Sequence, residues 1–252
     1  MTDTPHMSTQ AGSARRTPSL AHSLPVLLVR ASHPRQAVLT ALGMGVAAGL
    51  AGRPLREVGL VAATVLVGQA IQGWDNDLVD RERDARHGTP GKPVAQGLLD
   101  PGTVWFTLGC AVLLVVPLAV SAGTLAGLSY LGAVAVGLVG NRVLRGSVLS
   151  WLPWAVQFAL YPAYLAYGGW NGQGTDTPPT IVVTALAAVL GVLVHVLRAL
   201  PGLVPDNQDG RRHLPLRIAL RTGAPRLLIL ASVLTGLVVV GLLVAGQAVG
   251  LT

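Results

Sequence analysis

The sequence predicts an all-α fold, a polytopic bundle of about seven transmembrane helices, on three observations. Charged residues make up 12% of the 252 positions and apolar ones 51%, whereas a water-soluble domain carries about 25% charge. The charges are also clumped. Between the clumps lie long neutral stretches, the longest from Pro101 to Asn141, roughly twice the 20 residues that one crossing needs at about 1.5 Å per residue. A soluble enzyme, a disulfide-stapled secreted domain and a disordered chain are all excluded.

Taken in order, residues 1–23 are polar, small and turn-rich, and read as a disordered tail ahead of a transmembrane domain at 24–252. The run Leu24 to Val29 is too short for a secretory signal core and suits an interfacial helix leading to Arg30 and Arg35. The candidate spans are 36–52, 58–75, 102–120, 124–140, 149–168, 180–198 and 226–250. Glycine and alanine are dense in the first two, which lets helix backbones approach closely in lipid. The single cysteine, Cys110, lies in an apolar run, so no internal disulfide forms.

Basic residues set the orientation. Sixteen of the 18 fall in the tail, in the links after spans two and four, and between the end of span six and the start of span seven. Only Arg53 and Arg56 fall on the other side. The positive-inside bias therefore predicts an integral, multi-pass protein whose N-terminus and both long polar loops face the cytoplasm. A net charge of +7 distributed this way points to membrane lipid and not to nucleic acid.

Acidic residues concentrate in the same loops. Five of the 11 lie between Asp75 and Asp84. If span two continues as a helix, Asp77, Asp80 and Asp84 share a face, with Asn76 and Asp80 an i, i+4 pair beside them. Such a stack repels itself unless a cation neutralises it, and carboxylate oxygens with phosphate suit Mg²⁺. A solvated helix end neutralised by Arg81, Arg83 and Arg86 is the plainer alternative. The second loop, Arg198 to Pro215, holds Asp206 and Asp209. Pro205 at a first helical position would bring these two together, one turn apart. Two carboxylate clusters flanked by cations at one membrane face form the arrangement that holds Mg²⁺ and a diphosphate.

Asn76-Asp77-x-x-Asp80-x-x-x-Asp84 resembles the first acidic motif of the UbiA-type membrane prenyltransferases. His87 to Gly97, with Lys92, is similar to that family's basic stretch, and Ser150-Trp-Leu-Pro153, Leu200-Pro201, Gly210 and Leu214-Pro215 add support. The resemblance runs from about Leu28 to the C-terminus. It implies Mg²⁺-dependent transfer of an isoprenyl group from an allylic diphosphate to an acceptor, commonly an aromatic ring. It also implies catalytic and metal-binding roles for Asp77, Asp80 and Asp84, metal binding by Asp206, and substrate binding by Asn76, Lys92 and Arg145. Asp209, one turn from Asp206, is the candidate to replace the missing acid as a metal ligand, and Arg211 reads either as a substrate-binding group for phosphate or as an anchor to anionic lipid. Three departures stand out: Gly202 where the second motif's first Asp is expected, Gly140 or Asn141 in place of a Tyr, and fewer spans than the usual nine. A second copy of the chain could supply a missing wall. Two alternatives stay open, a terpene cyclase of the same architecture and a non-catalytic prenyl-lipid-binding protein.

Among the remaining residues, His195 reads as a helix–helix hydrogen-bonding residue or, less simply, a proton acceptor. Trp151, Trp154, Tyr161, Tyr164, Tyr167 and Trp170 read as interfacial anchors, with Tyr161 or Tyr164 as candidates to face a carbocation.

Overall fold

The computed structural model describes residues 22–169 and 177–248, so most of the predicted tail and Trp170 lie outside the described residues. Those residues form helices and no strand. In chain order the helices are α1 (Leu24–Ala31), α2 (Pro34–Leu50), α3 (Leu55–His87), α4 (Pro101–Val120), α5 (Thr124–Val139), α6 (Leu152–Ala166), α7 (Ile181–Ala199), α8 (Leu203–Gln208), α9 (Leu214–Thr222) and α10 (Ala224–Ala248). Five segments, Leu55–His87, Pro101–Val120, Thr124–Leu144, Ile181–Gln208 and Ala224–Gly246, are long and apolar enough to cross a bilayer. With 17 and 15 residues, α2 and α6 are shorter than the roughly 20 that a crossing takes. By length and composition, five of the seven expected spans are matched by such a helix among the described residues.

Local chemistry sets the ends. Asp100 caps α4 by accepting from the Thr103 amide at 2.8 Å, with Pro101 as the first helical residue. The long α3 stops where Gly88 turns left-handed at φ 59°, a conformation that favours residues without a Cβ. At the other break, His33 (φ 55°) makes the elbow between α1 and α2. That elbow lies directly on Gly73 of α3, where a Cβ would stand 2.2 Å from the Ser32 carbonyl oxygen. Only glycine allows this approach.

Each long helix packs on the next, α2 on α3, then α4, α5, α6, α7 and finally α10. Small residues, among them Ala48, Ala119, Ala126 and Ala133, fill the contacts around buried Ile71, Val65, Tyr130 and Tyr164. Outward faces carry large apolar side chains such as Phe106, Leu113 and Leu237, which in lipid need no covering protein.

The connections sort to two ends. At one, Arg53 donates to the carbonyls of Leu165 and Gly168, and the Gly169 amide donates to Ala122 at 2.8 Å. The α2–α3 link, the α4–α5 turn and the end of α6 therefore lie together. At the opposite end meet the end of α3, the 88–100 loop, the α5–α6 link and the α7–α9 connection. The Arg212 amide bonded to the Gly146 carbonyl at 3.1 Å fastens the last two. Both acidic segments belong to this second end.

Candidate functional site

The helix of α3 runs unbroken through Asp75 to Asp84, so every acid there has a fixed azimuth. Asp75 is fully buried, Asp77 is 1% exposed and Asp84 4%. The expected stack of three carboxylates around one point does not form. Instead the Lys92 ammonium, carried back by the 88–100 loop, lies 3.3 Å from both Asp77 and Asp84, 3.1 Å from Asn76 Oδ1 and 3.1 Å from His33 Nε2. Asp80 turns to the other flank, accepting from Asn76 at 3.1 Å and from Arg145, with Arg211 at 3.7 Å. Interleaved cations relieve the repulsion that a bare stack would suffer.

The second segment is built differently from the expectation. A 3-10 turn, Leu200–Gly202, runs into α8, and Pro205 is its third residue, not its first. It still lies in the first turn, where a missing N–H leaves no bond unmade. Asp206 is buried and held by three partners: Arg83 at 2.7 Å, Arg211 at 3.2 Å and His213 Nε2 at 2.9 Å. Asp209, beyond the end of α8, is paired with Arg83 and with His87 at 2.9 Å. Those two donors hold its carboxyl down at about 2. The two acidic segments thus reach each other through shared arginines, Arg211 touching Asp80 and Asp206 together.

Beside this rim a cavity of about 230 Å³ opens between helices. Asp75, Asn76, Arg145, Asp206, Arg211 and His213 line its polar end, while Trp154, Gln157, Ser150 and His195 line the side formed by α6 and α7. His33 and Gln36 close it opposite. Two buried donors that face the cavity, Arg145 Nη1 and Gln72 Nε2, have no hydrogen-bond partner among the described residues. Burial, with the charges of Lys92 and Arg198, pushes the His33 imidazole down to about 3, so it lines the wall as a neutral ring.

Several residues at the site were not singled out in the sequence. Asp75 accepts from Asn141 at 2.8 Å and from the Arg142 guanidinium, fixing the π-helical turn Gly140–Leu144 against α3. Its signal was an acid inside the span with no basic residue within a turn. Arg83, the tie between segments, stands one turn after Asp80. The His195 ring hydrogen-bonds Ser150 at 2.9 Å and stacks on Trp154; it joins the helices as expected. Tyr161 and Tyr164 do not line the cavity. They are buried against Tyr130, with the Tyr161 hydroxyl receiving Gln69 and Gln157.

The chemistry suits an anion and a hard cation side by side. Among the described residues no three acidic or imidazole groups converge on one point. Yet Asp77 Oδ1 and Asp84 Oδ2 are buried without a hydrogen bond, the Lys92 ammonium being their near neighbour. Two carboxylate oxygens and the Asn76 amide oxygen gathered round one displaceable ammonium form an oxygen donor set that fits Mg²⁺. The guanidinium groups of Arg145 and Arg211 supply the fork geometry that phosphate takes.

Known proteins share this architecture. A structure of a UbiA homologue from Archaeoglobus fulgidus bound to GPP and Mg²⁺ superimposes with a TM-score of 0.67 at 18% identity, over 88% of this chain and 78% of that one. A second, bound to DMAPP and Mg²⁺, gives 0.64 at 20% identity, over 85% and 75%. In sequence, the chain is 25% identical over 179 residues to the chloroplastic chlorophyll synthase of Oryza sativa subsp. japonica, 64% of this chain. The match spans about half of that relative, 46% of its length. The sequence model of the UbiA prenyltransferase family matches residues 37–252. The chain belongs to the UbiA prenyltransferase family.

Proposed function

We propose that this protein transfers an isoprenyl group from an allylic prenyl diphosphate to an acceptor, and that the rim between α3 and α8 is where the diphosphate departs. The single observation that carries the reading is the polar end of the cavity. There Arg145, with a buried unpaired N–H, and Arg211 converge on Asp80, across α3 from Asp77 and Asp84, whose inward oxygens have the Lys92 ammonium beside them. An anion suits the arginines and a cation the acids.

Asn76, Asp77, Asp80 and Asp84 would hold Mg²⁺. When bound, Mg²⁺ supplies positive charge that stabilises the departing pyrophosphate. Arg145, Arg211 and Lys92 bind the remaining phosphate oxygens, and their charge grows more favourable as the allylic C–O bond breaks and its electron pair leaves with pyrophosphate. Trp154 lines the cavity wall, its ring stacked on His195 with the Arg198 guanidinium 5.4 Å from its centroid. The helices around the cavity keep water from quenching the allylic cation. The acceptor's new bond forms to the allylic carbon, and its displaced proton leaves through the polar wall.

The chain's N-terminus, both acidic segments and the 88–100 loop belong on the cytoplasmic side, since 16 of the 18 Lys and Arg lie at that end or in the tail. The prenyl chain reaches the cavity from lipid.

Membranes containing the protein, given Mg²⁺ and allylic diphosphates of increasing length, should yield a prenylated compound identifiable by mass. A cyclic hydrocarbon formed with no acceptor would move the reading to cyclisation. No product, with no pyrophosphate released, would end it.

A further inference from the structure

The two acidic segments differ in how their carboxylates are satisfied. On α3, Asp77 Oδ1 and Asp84 Oδ2 are buried with one shared group beside them, the Lys92 ammonium on its flexible stem at 3.3 Å from each. On α8, both oxygens of Asp206 are taken: Oδ1 by Arg83 and Arg211, Oδ2 by His213. His213 is 3% exposed, and its Nδ1 caps α9 by accepting from the Leu216 amide at 3.2 Å. With Nδ1 accepting, the ring carries its proton on Nε2 and donates it to Asp206. A metal ion on that oxygen would have to expel a donor locked into the start of a helix.

No second carboxylate of this segment joins Asp206. Gly202, whose Cβ position is 3.3 Å from Asp206 Oδ2, has no side chain to offer. Asp209 does not line the cavity and is clamped by Arg83 and His87. Mg²⁺ demands a near-octahedral set of oxygens, and this side of the rim presents one carboxylate surrounded by guanidinium groups.

We propose that the chain binds one divalent ion, on α3, and that Arg211, held by Asp206 and helped by Arg145, supplies the positive charge on the other side of the diphosphate. Asp206 is then a positioning residue. It orients Arg211, which reaches Asp80 on the far side of the same cluster, and through Arg83 it fixes α8 to α3. Arginine suits this use because its planar fork stays charged and grips two phosphate oxygens at once. The inference rests on the diphosphate reading above.

Mn²⁺ titration of the purified full-length protein in detergent, followed by the electron paramagnetic resonance signal of the free ion, tests it without turnover. One Mn²⁺ per chain is expected. Asp80→Asn and Asp84→Asn should weaken binding at least tenfold, whereas Asp206→Asn should leave count and affinity within twofold. Asp206→Asn and Arg211→Gln should instead weaken binding of inorganic pyrophosphate, measured by calorimetry at saturating Mn²⁺. The wild-type count stands even if a variant misfolds. Two ions per chain, or loss of an ion in Asp206→Asn, would overturn the inference and leave the prenyltransferase reading intact. No bound ion in wild type would remove both.

Discussion

Arg83 of α3 meets Asp206 of α8 at 2.7 Å across 123 positions of sequence. The same guanidinium reaches Asp209, so one side chain closes the rim that α3 and the α7–α9 connection build together. Replacing Arg83 by alanine leaves Asp206, buried beside the cavity, short of a partner. The pair is partly screened by water, so the expected loss is moderate, about 2–6 °C in thermal midpoint in detergent. An unchanged midpoint would mean that the segments are held together elsewhere.

Lys92 is the hub of the opposite flank, within 3.3 Å of Asp77 and Asp84 and 3.1 Å of Asn76. Lys92→Met keeps the stem and removes the charge. The apparent KM for a prenyl diphosphate should rise about tenfold to hundredfold, the worth of one charged hydrogen bond. Lys92→Arg should recover part of that loss. Steady-state pyrophosphate release measured over a range of substrate concentrations separates the two variants.

These two residues show what the chain's pattern can and cannot reveal. The spans are legible because burial in lipid demands runs of apolar residues, and α4, α5, α7 and α10 lie within a few residues of where those runs predict. That α3 continues to His87 is the condition on which the acids share a face, and the helix meets it well past the expected span end at 75. How charges pair is not legible. Periodicity fixes the azimuth of Asp77, Asp80 and Asp84, but the 88–100 loop decides that Lys92 enters between two of them while Arg145 and Arg211 take the third. Asp75 was hidden for a similar reason: its partners Asn141 and Arg142 lie in a π-helical turn, and nothing in a run of five residues announces that register.

Protonation of His33 should make the fold weaken in mild acid. The ring titrates near 6.5 when unfolded and is pushed down to about 3 when folded, first by burial and then by Lys92 and Arg198. Between those values the unfolded chain takes up a proton that the folded chain refuses, so this stability is complete above pH 6.5 and is lost as pH falls toward 3. Asp209 is also lowered, from 3.8 to about 2, by its bonds to Arg83 and His87; its contribution is present above 3.8 and fades only below it, outside this window. His33→Asn keeps a residue that tolerates positive φ. Its thermal midpoint should fall less steeply than wild type between pH 7 and 5. Parallel slopes would show that another group governs this window.

Gly73 should tolerate no side chain. A methyl there would lie 2.2 Å from the Ser32 carbonyl oxygen and 2.4 Å from its carbon, and a backbone group has nowhere to turn. Gly73→Ala should lower stability by about 1–3 kcal/mol and reduce pyrophosphate release, because the displaced elbow carries His33 against Lys92. Gly43→Ala, with open space around it, serves as the control and should change neither.

The most direct test of the account is pyrophosphate release by purified protein supplied with Mg²⁺, geranyl diphosphate and an acceptor that gives product in the membrane assay, comparing wild type with Asp80→Asn. Asp80 sits between Asn76, Arg145 and Arg211, so the account predicts release at least about a hundredfold faster in wild type. Equal rates in the two proteins would contradict it.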